Sequence, residues 1–209
     1  MKPNSDEEEK ITISNIRDSF NLVLMGDSSV GKTSILERYC NNFFKTEEYN
    51  RKTIEIYKKF ITFSEYSYQL KFWDTPNFID NCNNSEINMF NNCDGIIYVC
   101  SYDNAASLTH INTWYQFLTQ YIDLSTKEMI LLINKKDLKE GKVITEEQIE
   151  KKSKDLQLEY YEVSAKTGEN INKGMKSLIK KLVERCNERS MGSFNNSYNE
   201  KDKGGCNIV

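Results

Sequence analysis

The chain has 209 residues and nearly balanced charge, 28 Lys and Arg against 31 Asp and Glu, for a formal net charge of −3. That length suits one domain with a substantial core rather than two, and the balance lacks the clustered basic face that a nucleic-acid partner requires. No stretch approaches the roughly 20 apolar residues of a membrane span, and no secretory signal peptide is expected. The cysteines (Cys40, Cys82, Cys93, Cys100, Cys186 and Cys206) show neither paired nor metal-ligand spacing, so reduced thiols in the cytosol are expected.

Residues 1–19 are polar and carry the acidic run Asp6-Glu7-Glu8-Glu9, which reads as a disordered extension. No Gly follows Met1, so myristoylation is not expected. An apolar run at 20–25 then leads into Gly26-Asp27-Ser28-Ser29-Val30-Gly31-Lys32-Thr33, and Ser34 continues into a helix that reaches about residue 42. Strand, glycine-bounded loop and helix stand in the order that a phosphate loop, G-x-x-x-x-G-K-[ST], requires. Gly26 and Gly31 free the backbone to turn successive N–H groups onto a phosphate chain. The helix start adds unpaired donors and the positive end of its dipole. Lys32 is expected to reach the β- and γ-phosphates and the Thr33 hydroxyl to ligate Mg²⁺. This stretch predicts a bound nucleotide.

Residues 43–52 read as a polar loop. Two alternating runs, 53–63 and 66–73, flank a turn at Ser64-Glu65 and predict an antiparallel hairpin. Pro76 keeps the second run from continuing as a central strand. An asparagine-rich loop spans 77–92, with about one helical turn at 86–90. The continuous apolar runs at 95–100 and 129–133 predict strands buried on both faces. Between them, 105–121 carries Leu108, Ile111, Trp114, Tyr115, Leu118 and Ile122 at helical spacing. Thr145 is expected to cap a helix reaching about residue 156, with Glu146-Glu147-Gln148 in its first turn. A last strand is predicted at 159–163, a last amphipathic helix at 171–189, and a flexible tail beyond it. The pattern predicts an α/β fold: a mostly parallel six-stranded sheet with one antiparallel edge strand and helices on both faces. In such a sheet ligands sit at the carboxyl ends of the strands, where every motif falls.

Asp74 ends a strand where a second carboxylate can approach Mg²⁺, through water. Thr53, at a loop-to-strand junction, is placed to complete the metal shell and sense the γ-phosphate. Asn134-Lys135-Lys136-Asp137 follows a buried strand. A carboxylate at Asp137 can accept both the ring N–H and the exocyclic amine of guanine, a pair that adenine does not offer. Asn134 can tie this loop to the phosphate loop, and the Lys135 stem can lie on the purine face. Backbone N–H from Ser164-Ala165-Lys166 can meet the guanine oxygen. The lone His110 falls on or near the 105–121 helix with no catalytic or metal role indicated.

With these segments the chain resembles Ras-superfamily small GTPases, and within them the Rab family of membrane-traffic regulators. The resemblance covers about 20–189 and extends to the C-terminus. It rests on Gly26 to Thr33, Thr53-Ile54, Trp73-Asp74-Thr75, Asn134 to Asp137, and Ser164-Ala165-Lys166. Trp114 after Ser107-Leu108, together with a cysteine near the end of the chain, points to the Rab family. The resemblance implies a P-loop NTPase of the small G-protein kind that binds GTP and GDP with Mg²⁺ and hydrolyses GTP. It also implies effectors, an exchange factor and GDP-dissociation inhibitor or escort proteins as partners, and no nucleic acid.

The departures lie in the switch segments. Where the family reads Ala-Gly-Gln-Glu after Trp-Asp-Thr, this chain reads Pro76-Asn77-Phe78-Ile79, and Glu55 replaces a Gly after Thr53-Ile54. Phe78 has no polar group with which to orient the attacking water, so slow or atypical hydrolysis is expected, with Lys32 and Thr53 as the remaining catalytic contributors. The alternative is a non-hydrolysing, constitutively nucleotide-bound interaction module. A P-loop metabolite kinase would call for an arginine-bearing lid and no guanine-reading Asn-Lys-x-Asp. Cys206, four from the end, resembles a prenylation site, which implies a peripheral protein on the cytosolic face of an endomembrane.

Overall fold

The computed structural model describes residues 16–46, 53–76 and 84–201, with 190–201 described as backbone alone. In chain order the elements are β1 (Ile16–Met25), α1 (Lys32–Asn41), β2 (Glu55–Phe63), β3 (Tyr66–Asp74), α2 (Asn84–Asn91), β4 (Gly95–Ser101), α3 (Ala105–Thr119), a 3₁₀ turn (Leu124–Thr126), β5 (Glu128–Asn134), α4 (Glu146–Leu156), β6 (Glu159–Glu162) and α5 (Ile171–Lys201). The six strands form one sheet in the order β2-β3-β1-β4-β5-β6. Every neighbouring pair is parallel except the β2–β3 hairpin, which puts the antiparallel strand at the edge.

Period-two alternation divides the central strands between two cores. Leu22 and Leu24 of β1, Ile97 and Val99 of β4, and Ile130 and Leu132 of β5 face one side, packed with Ile35, Leu36, Met175, Leu178 and Leu182 of α1 and α5. Val23, Met25, Ile96, Tyr98, Leu131 and Ile133 face the other, against Phe90, Leu108, Ile111, Trp114 and Ile149 of α2, α3 and α4. All seven residues of β4 are buried, which is why its sequence reads as one apolar run. Thr145 caps α4 with a full capping box to Gln148, as its spacing predicts.

Three elements differ most from the expectation. β1 begins at Ile16, inside the segment expected to lack packed structure up to residue 19, because the polar end finds partners. Ile16 pairs with Ser67, and Arg17 donates to Asn187 Oδ1 of α5 at 2.8 Å while lying 4.1 Å over the Tyr66 ring. α2 is a whole helix rather than a single turn, anchored by buried Met89 and Phe90. α5 runs past 189 to Lys201, so the first part of the expected flexible tail is helical. The acidic run at 6–9 and Cys206 lie outside the described residues.

Candidate nucleotide-binding site

The parallel register brings the carboxyl ends of five strands to one edge of the sheet. Leu24 pairs with Asp74, Ser101 pairs with Asn134, and Val163, just past β6, donates to Ile133 O at 2.8 Å. Onto this edge the chain folds the phosphate loop, the ends of β3 and β5, and the segment after β6.

The loop needs its two glycines. Gly26 has φ +150°, and a Cβ there would stand 2.1 Å from Val99 O. Gly31 has φ +96°, and its Cβ would stand 2.3 Å from Asn134 Nδ2. Each position therefore excludes a side chain by contact as well as by backbone conformation. Lys32, the first residue of α1, folds back over the loop and donates from Nζ to Gly26 O at 2.7 Å and Asp27 O at 2.8 Å. Burial pushes its ammonium down to about 8, against the opposing pull of the Asp74 and Asp27 carboxylates. The next residue, Thr33, donates from Oγ1 to Asp74 Oδ2 at 2.5 Å, which brings two hard oxygens together beside the loop. Thr75 secures that strand end by donating to Leu24 O at 2.5 Å. Thr53 is exposed, two residues before β2 begins at Glu55.

Asn134 is the joint between the two halves of the edge. It is 2% exposed, donates from Nδ2 to Val30 O at 2.9 Å, and accepts at Oδ1 from Ala165 N–H at 3.0 Å. The tie to the phosphate loop is the one expected from sequence; the tie to Ala165 adds to it. Asp137 Oδ1 accepts from the buried Ser164 hydroxyl at 2.6 Å, and Ser164 Oγ in turn accepts from Thr167 N–H at 3.1 Å. Lys135, at φ +65°, pairs with Asp103 Oδ2 at 2.7 Å. Burial raises Asp103, but hydrogen bonds from Lys135 and Ser101 outweigh it and hold the carboxyl below its ordinary value.

Several residues at this edge escape a reading by motif. Asp103 is one. Arg38 of α1 is another: it donates from Nε to Ala165 O at 2.9 Å and from Nη2 to Lys166 O at 2.8 Å. The Asp27 side chain is held from α3, by Trp114 Nε1 at 3.4 Å and His110 Nδ1 at 2.7 Å. The sequence signal for these two is their one-turn spacing on α3, which alone does not say what they face. Asn77, Phe78 and Ile79 lie outside the described residues.

A phosphate loop between β1 and α1, this strand order, and strand-end motifs gathered at one sheet edge define a P-loop protein of the small GTPase class. The chain belongs to the Ras family, which it matches over residues 21–184. It is similar to the Ras-related protein RabF1 of Dictyostelium discoideum, 30% identical over 172 residues covering 82% of this chain and 88% of that protein. It is also similar to Rab-10 of Caenorhabditis elegans, 27% identical over 193 residues (90% and 95%), and to RabG2 of Dictyostelium discoideum, 28% over 167 residues (79% and 83%). It is a Rab-like small GTPase.

Proposed function

We propose that the chain is a GTP/GDP-binding switch in intracellular vesicle and membrane traffic, one that hydrolyses GTP slowly. The observation that carries the nucleotide reading is the Asn134 clasp. It holds the phosphate loop and the Ser164-Ala165-Lys166 segment at a fixed separation, with Asp137 beside them. In this reading residues 26–34 cradle the phosphates, with Gly26, Asp27, Ser28, Ser29, Val30 and Gly31 offering backbone N–H and Lys32 and Ser34 following at the helix start. Asp137 accepts from the guanine ring N–H and amine, and the Lys135 stem covers the purine face. Ala165 N–H is already held by Asn134, which leaves Lys166 N–H to meet the guanine oxygen.

The donor set fits Mg²⁺. Thr33 Oγ1 and Asp74 Oδ2 are hard oxygens that already converge at 2.5 Å. Thr33 and Asp74 would hold the ion, with Thr53 completing the set. When bound, it would neutralise charge on the phosphate oxygens. Lys32 adds its ammonium to the β- and γ-phosphates, and its confinement against two loop carbonyls orients it in advance. Proline at 76 removes a backbone donor, and Phe78 lacks a group to hold the attacking water, which supports slow turnover. The same substitutions favour a second reading, a module that binds nucleotide without hydrolysing it; single-turnover hydrolysis of bound GTP separates the two.

A prenyl group on Cys206 would attach the protein to the cytosolic face of an endomembrane. Exchange factor, GDP-dissociation inhibitor and effectors are its proposed protein partners. The test of the nucleotide reading is competition against labelled GDP. GTP is expected to displace it and ATP is not, and Asp137→Asn is expected to shift preference toward xanthine nucleotides. Displacement by ATP as effective as by GTP overturns it.

A further inference from the structure

Arg38 lies on α1, outside every motif, yet its guanidinium reaches three backbone carbonyls on two segments. Nε donates to Ala165 O at 2.9 Å and Nη2 to Lys166 O at 2.8 Å. Nη1 donates to Asn42 O at 3.2 Å and to Asn42 Oδ1 at 3.3 Å. Asn42 is the left-handed C-cap of α1, so the far side of the fork is fixed to the helix end that carries it. The near side holds two successive peptide planes, 165–166 through Ala165 O and 166–167 through Lys166 O. Ala165 O and Lys166 N–H belong to the same trans unit and point in opposite directions. Holding Ala165 O toward α1 therefore turns Lys166 N–H away from α1. The Ala165 amide on the preceding plane is held in turn by Asn134 Oδ1. Among the described residues no acceptor meets Lys166 N–H.

We infer that Arg38 is a positioning residue for guanine: it holds the 165–166 peptide plane so that Lys166 N–H faces the 6-oxygen of the base. The inference rests on the guanine-binding reading of the site. A planar fork with donors on three edges can serve both carbonyls and the cap at once, whereas a lysine ammonium, as a point charge on a flexible stem, cannot hold the plane in the same way. Without the fork the plane keeps only the restraints of its neighbours, Ala165 N–H on Asn134 and the Thr167 and Gly168 N–H groups on Ser164, and the base loses a firmly oriented donor while Asp137 and the phosphate loop remain in place.

The experiment measures release of fluorescent GDP and of its 6-thio analogue, whose sulfur is a weak acceptor, from the full chain with Mg²⁺. Arg38→Met, which keeps the apolar stem, is expected to release GDP about tenfold faster and to change release of the 6-thio analogue by much less. Arg38→Lys is expected to restore part of the GDP effect and serves as the readout should Arg38→Met not fold. A purely structural role predicts equal acceleration for both nucleotides, and that result overturns the inference, as does an unchanged GDP rate. If the wild type prefers GDP to ADP and the variants behave like it, Arg38 alone is misread. If the wild type holds ADP as tightly as GDP, the guanine reading falls and this inference falls with it.

Discussion

Replacing Asn134 by alanine removes both ends of the clasp, and the loss can be worked from its partners. Val30 is fully buried and Ala165 is 2% exposed, so truncation strands a carbonyl and an amide. Each unsatisfied buried group costs about 1–3 kcal/mol, and a water entering the vacated space offsets part of that. The expected loss is about 3 kcal/mol, which for a chain of this size lowers the melting temperature by about 6–12 °C. Asn134→Asp keeps the acceptor for Ala165 but sets a carboxylate oxygen against Val30 O, so it should be at least as damaging. The assay is thermal and urea unfolding of nucleotide-stripped protein by circular dichroism, alongside GDP release from the loaded form. A fall of less than about 2 °C with unchanged release would mean that Asn134 does not join the two loops energetically, and the reasoning fails.

Phe78→Gln should raise single-turnover GTP hydrolysis, because one positioned transition-state contact is worth about 3 kcal/mol, or roughly a hundredfold in rate; an unchanged rate refutes the argument from that position. Glu159 is raised by burial, but hydrogen bonds from Lys181, Tyr161 and Ser177 outweigh this and bring it down to about 2 from 4.5. Its stabilising contribution is therefore present above pH 4.5 and is lost as pH falls from there toward about 2. Glu159→Gln should flatten the acid limb of the stability profile in that window, and a limb parallel to wild type would contradict this. Cys206→Ser should leave nucleotide affinity unchanged and move the protein to the soluble fraction; an unmodified C-terminus by mass spectrometry of protein from its native cell removes the basis for that expectation.

The parts of the fold that could be read from sequence are those whose physics is local. β4 and β5 are covered on both faces, so apolar runs mark them, and the phosphate loop declares itself because two backbone positions tolerate only glycine. The parts that could not be read depend on distant partners. Nothing in Ile16-Arg17-Asp18-Ser19 marks a strand until Ser67 and Asn187 stand beside it. The asparagines of α2 are poor helix formers, and burial of Met89 and Phe90 overrides them. The Ser, Gly and Asn residues beyond 189 likewise read as a tail, yet α5 continues through them. In the site, the Asn134 and Asp137 segment is visible from its spacing, whereas Arg38 meets Ala165 across 127 residues of chain, a separation no local pattern encodes.

The Asn134 clasp also bears on how the protein persists in a cell. It joins groups 104 and 31 residues away from it, so the binding edge exists only when the whole domain is folded. A ligand that meets only the folded state draws the folding equilibrium toward itself by mass action, by about 2.7 kcal/mol when its concentration exceeds the dissociation constant a hundredfold. The guanine nucleotide pool would then act as a chaperone for this chain. Substitutions that only speed release would appear in cells as low abundance, through proteolysis of the emptied protein, before any change in membrane traffic was seen.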